Sequence, residues 1–184
     1  MKNQFDIKVL RQHWIKDDEN DDPEDLCSHG EVFLRIGDKE ISNKQSGSWT
    51  LSSTALYLMR TLSENYKPSK YASQLIPCCG HFFVTDESDD EFVMIVGCSN
   101  GIDWTIKHIE NEQIKHITED GEEGIIGKAE YRKIVIEFVN HIEKFYKQSK
   151  PKVIPEDEFD RKGYEAFWKE WRKLKREVEK QETK

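Results

Sequence analysis

The sequence predicts an α+β fold: an antiparallel sheet of about six strands, in a meander of hairpins, with one inserted helix and two C-terminal helices packed on it. Two observations predict this arrangement. Short hydrophobic runs separated by turn residues occupy the first part and the middle of the chain. Hydrophobic residues at helical spacing occur once between those runs and twice at the carboxyl terminus. We expect residues 1–150 to form a single α+β domain, and residues 151–184 to be a linker and an amphipathic aromatic helix docked on it.

The first predicted elements lead into a β-hairpin. Residues 5–10 alternate between apolar and polar as a strand does, and an acidic run at residues 17–25 follows as an exposed loop. Residues 31–36 form the next strand. Gly37 and Asp38 supply a two-residue turn into the return strand.

A helix with one buried face is predicted near residues 53–65. Its apolar residues follow the i, i+3, i+4, i+7, i+11 spacing of such a helix: Ala55, Leu58, Met59, Leu62 and Tyr66. Ser52 or Ser53 is expected to cap the first turn, because a hydroxyl oxygen accepts a hydrogen bond from a free backbone N–H there. Pro68 marks the point by which the helix must have ended.

The middle of the chain predicts four more strands, at residues 75–84, 91–98, 102–110 and 113–118. The last two strands are related, because the tetrapeptide Ile-Lys-His-Ile occurs in both. With a turn at residues 111–112, Ile109 would face Ile114 and Ile106 would face Ile117 across the hairpin.

Two helices are predicted to end the chain. The first spans residues 128–149 and should lie across the sheet, because its apolar residues form one stripe. A linker at residues 151–155 precedes the second, whose start is marked by the acids at residues 156–158. The stripe of the second helix contains Tyr164, Phe167, Trp168 and Trp171. Beyond Leu174 the sequence is almost wholly charged, and we expect the helix to fray there.

Charge and composition exclude several classes of partner. The chain carries a net charge of -8, and residues 161–184 carry a local +4, so the first 160 residues carry -12. Such a body repels nucleic acid and anionic membrane surfaces. No apolar stretch is long enough to span a membrane, and the first residues lack the pattern of an export signal. We therefore expect a cytoplasmic protein with reduced cysteines.

The four cysteines lie in three short segments that also contain glycine or histidine, and these segments raise the question of a zinc site. Thiolate and imidazole are preferred zinc ligands, so the candidate ligands are Cys27, His29, Cys78, Cys79, His81 and Cys98. No CxxC pair is present, and neighbouring thiols in a strand point to opposite faces. At most one of the two adjacent cysteines is then available. The alternative favoured by the sequence is four buried structural thiols.

The same segments allow a thiol enzyme as a further alternative. Cys79 or Cys98 would be the nucleophile, with His29 or His81 as its base and Asp103 as the orienting carboxylate. Such a group depends on contact geometry that a sequence does not specify. We expect a binding protein rather than an enzyme, because the chain contains no catalytic motif.

The acidic run and the aromatic helix are the candidate partner-binding segments. The carboxylates of the run are Asp17, Asp18, Asp21, Asp22 and Asp25, and they favour a basic protein partner. The helix offers Trp168, Trp171 and Arg172, residue types enriched at binding hot spots, to a partner or to a second copy as a homodimer. Packing of the stripe on its own domain is the favoured interpretation.

The sequence as a whole favours a non-enzymatic, cytoplasmic, acidic protein that binds a basic macromolecule without a cofactor. In size and charge it is comparable with small immunity proteins that inhibit toxins, although no motif supports the comparison. The alternative function is a zinc-binding protein or thiol hydrolase built on the three cysteine segments.

Overall fold

The computed structural model describes residues 4–16, 21–71, 73–78, 82–86 and 89–182. Within these ranges the chain forms eleven strands and three helices. In chain order they are β1 Phe5–His13, β2 His29–Ile36, β3 Lys39–Ser42, β4 Trp49–Thr50, α1 Leu51–Arg60, β5 Ile76–Pro77, β6 Phe82–Asp86, β7 Asp89–Val96, β8 Gly101–Ile102, β9 Thr105–Ile109, β10 Gln113–Ile117, β11 Glu123–Gly127, α2 Lys128–Gln148 and α3 Glu158–Glu182. One helix in the middle and two at the end, with antiparallel strands between them, confirm the predicted α+β fold.

The strands form four small antiparallel sheets in the described part of the chain, so the expectation of one six-stranded sheet was wrong. One sheet has the order β1-β2-β3 with β4 also on β2, and a second has the order β11-β10-β9. Two further sheets contain two strands each, β5 with β8 and β6 with β7. The strand predicted at residues 75–84 is divided between β5 and β6. Pro77, which has no N–H for a ladder, is the last residue of β5.

Helix α1 lies at the centre of the fold. All ten of its residues are buried, including Ser52 and Ser53, so the prediction of a single buried face was wrong. The helix packs against α2, α3, β2 and β5, which together surround it. Its first N–H, on Leu51, donates to the carbonyl of Ser28 over 2.8 Å. The predicted serine cap is therefore absent, because both serines lie inside the helix and Thr50 is its N-cap residue.

The β9–β10 hairpin forms with a register one residue away from the predicted one. Ile109 pairs with Gln113, and Ile106 pairs with His116 rather than with Ile117. Asn111 and Glu112 both have positive φ, which lengthens the loop to three residues. The isoleucines of the repeated tetrapeptides therefore do not face one another.

The C-terminal helices form where the sequence predicts them. Helix α2 buries the predicted stripe against α1 and β1, with Phe145 half-buried near its end. Helix α3 packs on β6 and β7. Gly163 allows a close approach, because a Cβ at that position would lie 2.0 Å from the carbonyl oxygen of Phe83. The helix continues beyond Leu174 to Glu182, farther than its charged sequence led us to expect.

Candidate functional site

The carboxylates of the acidic run form contacts within the protein. The carboxylate of Asp21 accepts a hydrogen bond from the backbone N–H of Lys150 and lies 3.5 Å from the ammonium of Lys152. The buried carboxylate of Asp22 pairs with Lys16 over 2.9 Å, and this pairing lowers its pKa. Asp17 and Asp18, the other predicted contacts of this run, lie outside the described residues.

Asp25 is likewise engaged in local structure. Its carboxylate accepts from the N–H of Ile15 over 2.7 Å and from the N–H of Cys27 over 3.1 Å. It also lies 3.4 Å from Nε2 of His29. Together these contacts hold the start of β2 and the end of β1 to the acidic segment. Asp21, Asp22 and Asp25 are thus each engaged within the chain, whereas Glu24 of the same run is exposed.

Cys27 and His29 lie together on a cavity of about 400 Å³, which Phe83 and Asp160 also line. The Cys27 thiol is buried, and burial, with a smaller effect of the Asp25 carboxylate, raises its pKa to about 12. Without a bound metal ion the thiol is therefore neutral and lacks the thiolate that nucleophilic attack requires.

The remaining cysteines lie near Asn100. The Cys78 N–H donates to the Asn100 carbonyl over 3.0 Å, and the Cys98 sulfur lies 3.6 Å from the same oxygen. Cys79 and His81 lie outside the described residues. Within the described ranges, no group of three or more His, Cys, Asp or Glu side chains is arranged to hold a metal ion.

The aromatic stripe of α3 packs on the body of its own chain. Trp171 is 1% exposed, and its indole N–H donates to the Glu143 carboxylate on α2 over 2.8 Å. Trp168 is half-buried and lies edge-on to Tyr146, with ring centroids 5.0 Å apart. Arg172 is exposed. Among the three residues of this helix that were predicted to bind a partner, Trp171 is therefore part of the core.

A cleft of about 470 Å³ lies between the β2–β3 hairpin and the segment that joins β10 to β11. It is lined by Ile36, Lys39, Glu40, Ile41, Gly101, Ile102, Asp103, Trp104, Thr118, Glu119 and Asp120. Its two walls are held together, because the N–H of Asp38 donates to the Glu122 carboxylate over 3.0 Å and the Lys39 ammonium pairs with Asp120. The cleft combines apolar residues with four carboxylates and one lysine.

Asp103 is the most enclosed carboxylate of the cleft. It is half-buried and accepts hydrogen bonds from the Tyr66 hydroxyl over 3.0 Å, the Trp104 N–H over 3.1 Å and the Leu75 N–H over 3.2 Å. These three donors are all neutral. Burial, which outweighs the hydrogen bonds, raises the pKa of Asp103. A cation placed beside it would stabilise its ionised form.

The other carboxylates of the cleft surround Asp103 at the rim. Glu40 and Glu119 are exposed, and the Asn43 side chain donates to Glu40 over 2.7 Å. Thr118 donates to Asp120 over 2.6 Å, and the hydrogen bond from Lys39 lowers the pKa of Asp120. This rim is suited to a cationic group and unsuited to an anion.

The outer face of the β6–β7 pair is apolar and exposed. Phe82 pairs with Val96, and Val84 pairs with Met94, so these side chains lie side by side on the two strands. Phe82 is 63% exposed, Met94 39% and Val96 37%, while Val84 is half-buried. The opposite face, which includes Phe83, Val93 and Ile95, is buried.

Comparisons with protein-family models, with curated proteins and with solved structures return no match for this chain. No helix among the described residues has both the length and the apolar character needed to cross a bilayer.

Sequence reasoning missed the cleft, because its carboxylates come from three distant segments. Asp103 was singled out, but only as a partner for a catalytic histidine. A signal for the rim was present in the hairpin turns, where Asp38 follows Gly37 and Asp120 precedes Gly121. A signal for the apolar face was the run from residue 92 to 96, which is apolar at every position. An antiparallel strand that is apolar on both sides needs cover on both sides.

Proposed function

We propose that this protein is a non-enzymatic protein that binds a basic macromolecule in the cytoplasm. The observation that carries the proposal is the cleft, in which the half-buried Asp103 carboxylate accepts hydrogen bonds from neutral donors and lies among three further acids. The net charge of -8 supports the same partner class, because it attracts cationic proteins and repels nucleic acid.

An arginine side chain suits this cleft better than other cationic groups. A guanidinium is planar, always charged and able to donate to two oxygens at once, while its methylene stem lies against apolar surface. The carboxylate of Asp103 accepts from four neutral donors, one of them the backbone of Ser69, so a guanidinium would supply a positive charge that these donors lack. The half-buried Ile41 and Ile102 supply the apolar surface for the stem.

Small acidic immunity and inhibitor proteins, with which this chain is comparable in size and charge, suggest how such binding would act. The cleft would hold an arginine or lysine of a basic target protein and block the surface to which that residue belongs. Binding would weaken as salt is raised, because the contact is formed between charges that are partly exposed.

The test uses a fluorescent arginine nonamer as the probe and compares two double variants. Glu40→Gln with Glu119→Gln removes two rim charges, and Glu137→Gln with Glu165→Gln removes two exposed charges from α2 and α3. We expect the cleft variant to bind about ten-fold more weakly at low salt, since exposed ion pairs contribute up to about 1 kcal/mol each. Fluorescence anisotropy measures the affinities. Equal losses in the two variants would show attraction by net charge alone and contradict the proposed site.

A further inference from the structure

The β6–β7 pair is a two-stranded sheet with one covered face and one open face in the described structure. On its inner side, Phe83 packs against Phe167 of α3 with ring centroids 5.0 Å apart, and Val93 and Ile95 are fully buried. An isolated pair of strands is marginally stable in water, so this contact with α3 stabilises the ribbon. No such contact covers the outer side in the part of the chain that the structure describes.

The outer side presents four apolar residues that we call the ribbon face: Phe82, Val84, Met94 and Val96. Phe92, 44% exposed, is not part of this face, because the β6–β7 register shifts between Asp89 and Val93 and the Phe92 ring lies 4.1 Å from the Arg60 guanidinium. Single exposed apolar side chains are common, but a row that continues across two paired strands marks an interaction surface.

The charge next to the ribbon face indicates which kind of surface covers it. At the end where the two strands meet, β6 finishes at Asp86 and β7 begins with Asp89, Asp90 and Glu91, so the adjoining sequence is acidic. The Glu91 carboxylate lies 2.6 Å from the Lys173 ammonium of α3. An apolar centre with charged surroundings is the usual anatomy of a protein interface.

We propose that the ribbon face docks an apolar patch bordered by lysine or arginine on a partner protein. This inference rests on the proposed function, since it assigns to the same basic partner a second contact surface. A second copy of the chain would bring its own acids against these, and an anionic bilayer would repel them. A basic protein surface matches both the apolar row and the charge beside it.

The probe for the test is a peptide of alternating leucine and lysine, about twelve residues long, which presents one apolar and one basic side when extended. The protein is labelled with carbon-13 at its methionine methyl groups. Met94 reports the ribbon face, while Met59 is 1% exposed in α1 and reports the core. We expect the Met94 methyl signal to shift and saturate as the peptide is added, while the Met59 signal stays in place.

Two double variants test whether the face itself provides the affinity. Met94→Ser with Val96→Ser alters the ribbon face, and Leu10→Ser with Ile125→Ser removes side chains of similar exposure from β1 and β11. We expect the first variant to bind the leucine–lysine peptide about ten-fold to a hundred-fold more weakly, and the second to match the wild type.

The same measurements distinguish this inference from the proposed function. Loss of leucine–lysine binding in the ribbon variant, with arginine-nonamer binding kept, supports the ribbon face. Peptide binding that leaves the Met94 methyl signal unmoved overturns it, as does no binding at millimolar peptide. A wild-type dimer that Met94→Ser dissolves would identify a second copy as the occupant, and binding to neutral phosphatidylcholine vesicles would identify a lipid surface. The arginine nonamer reports separately on the cleft.

Discussion

Arg60 of α1 and Glu170 of α3 form a bidentate ion pair in the core. The Arg60 Nε and one terminal nitrogen donate to the two carboxylate oxygens over 2.7 and 2.8 Å. Both side chains are at most 5% exposed. The backbone of Val93 on β7 donates to Glu170 over 2.8 Å and accepts from Arg60 over 2.6 Å, so the pair joins three elements. The Phe92 ring lies 4.1 Å from the guanidinium and covers it.

Removing one member of this pair leaves the other charged and buried. We expect Glu170→Gln or Arg60→Met to lower the free energy of unfolding by about 3–5 kcal/mol, measured by urea denaturation. The double variant Arg60→Met with Glu170→Met should be less destabilised than the sum of the two, because no charge is then left alone. Additive effects would contradict this account of the pair.

His116 makes the fold sensitive to acid. It is fully buried, accepts a hydrogen bond from the Trp104 indole over 3.0 Å and stacks on Phe5. Burial, with a smaller effect of His108, lowers its pKa from 6.5 to about 3. The unfolded chain therefore binds a proton that the folded chain excludes. The contribution of His116 to the free energy of unfolding is fully present above pH 6.5 and decreases as the pH falls below that value.

The expected loss is up to about 1.4 kcal/mol for each pH unit between those two pKa values. His116→Asn, which keeps an acceptor near the Trp104 N–H, should flatten this part of the pH profile of unfolding. His141→Asn, at an exposed position of α2 where the pKa of the imidazole is also lowered, should flatten the profile less than His116→Asn does. An unchanged slope in the His116 variant would mean that other groups set the acid sensitivity.

Asp103 should affect stability and binding in opposite directions. Its pKa is raised by burial, so the folded chain holds the proton more tightly than the unfolded chain does. The free energy of unfolding therefore falls as the pH rises from the unfolded to the folded pKa of Asp103, and it stays lower above that window. We expect Asp103→Asn to raise the melting temperature at neutral pH and to weaken binding of the arginine nonamer.

The pH dependence of binding supplies an independent measurement of the same group. A bound guanidinium lowers the pKa of Asp103, so binding releases a proton and the affinity rises as the pH rises through that window. The Asn variant should lose this rise. A variant that binds with wild-type affinity and the wild-type pH profile would remove Asp103 from the site.

The thiols should separate into two reactivity classes. With its pKa raised to about 12, Cys27 has about a thousand-fold less thiolate at pH 8 than a cysteine of ordinary pKa near 8.5, and it is also buried. We expect iodoacetamide to modify the half-buried Cys78 and Cys98 first, as read by mass spectrometry of the peptides. The alternative functions predict other results: a zinc protein would contain one zinc per chain, and a thiol hydrolase would have one fast-reacting cysteine.

The predictions from sequence succeeded where local pattern determines the structure. Helix α2 was predicted at residues 128–149 and spans Lys128–Gln148, because one amphipathic stripe extends over its whole length. The hairpin turn at Gly37 and Asp38 was also predicted, since glycine supplies the positive φ observed there.

The predictions failed where tertiary contacts decide. Helix α1 is buried on all sides because two helices and two strands surround it. Its polar serines do not indicate such burial in the sequence. The β9–β10 register moved by one residue because Asn111 and Glu112 adopt positive φ, which their sequence permits without requiring. The cleft joins residues 40, 103 and 119, and only the folded sheets bring them together.

Because α3 covers the inner face of the β6–β7 ribbon, we expect the protein to be expressed without aggregation only when its C-terminal helix is present. A chain truncated or cut by a protease between residues 149 and 157 would lose the helix that covers Phe83, Val93 and Ile95. The ribbon would then carry apolar side chains on both faces and unpaired strand edges, which is a combination typical of aggregating fragments. Recombinant forms that end before α3 are therefore expected to accumulate as inclusion bodies.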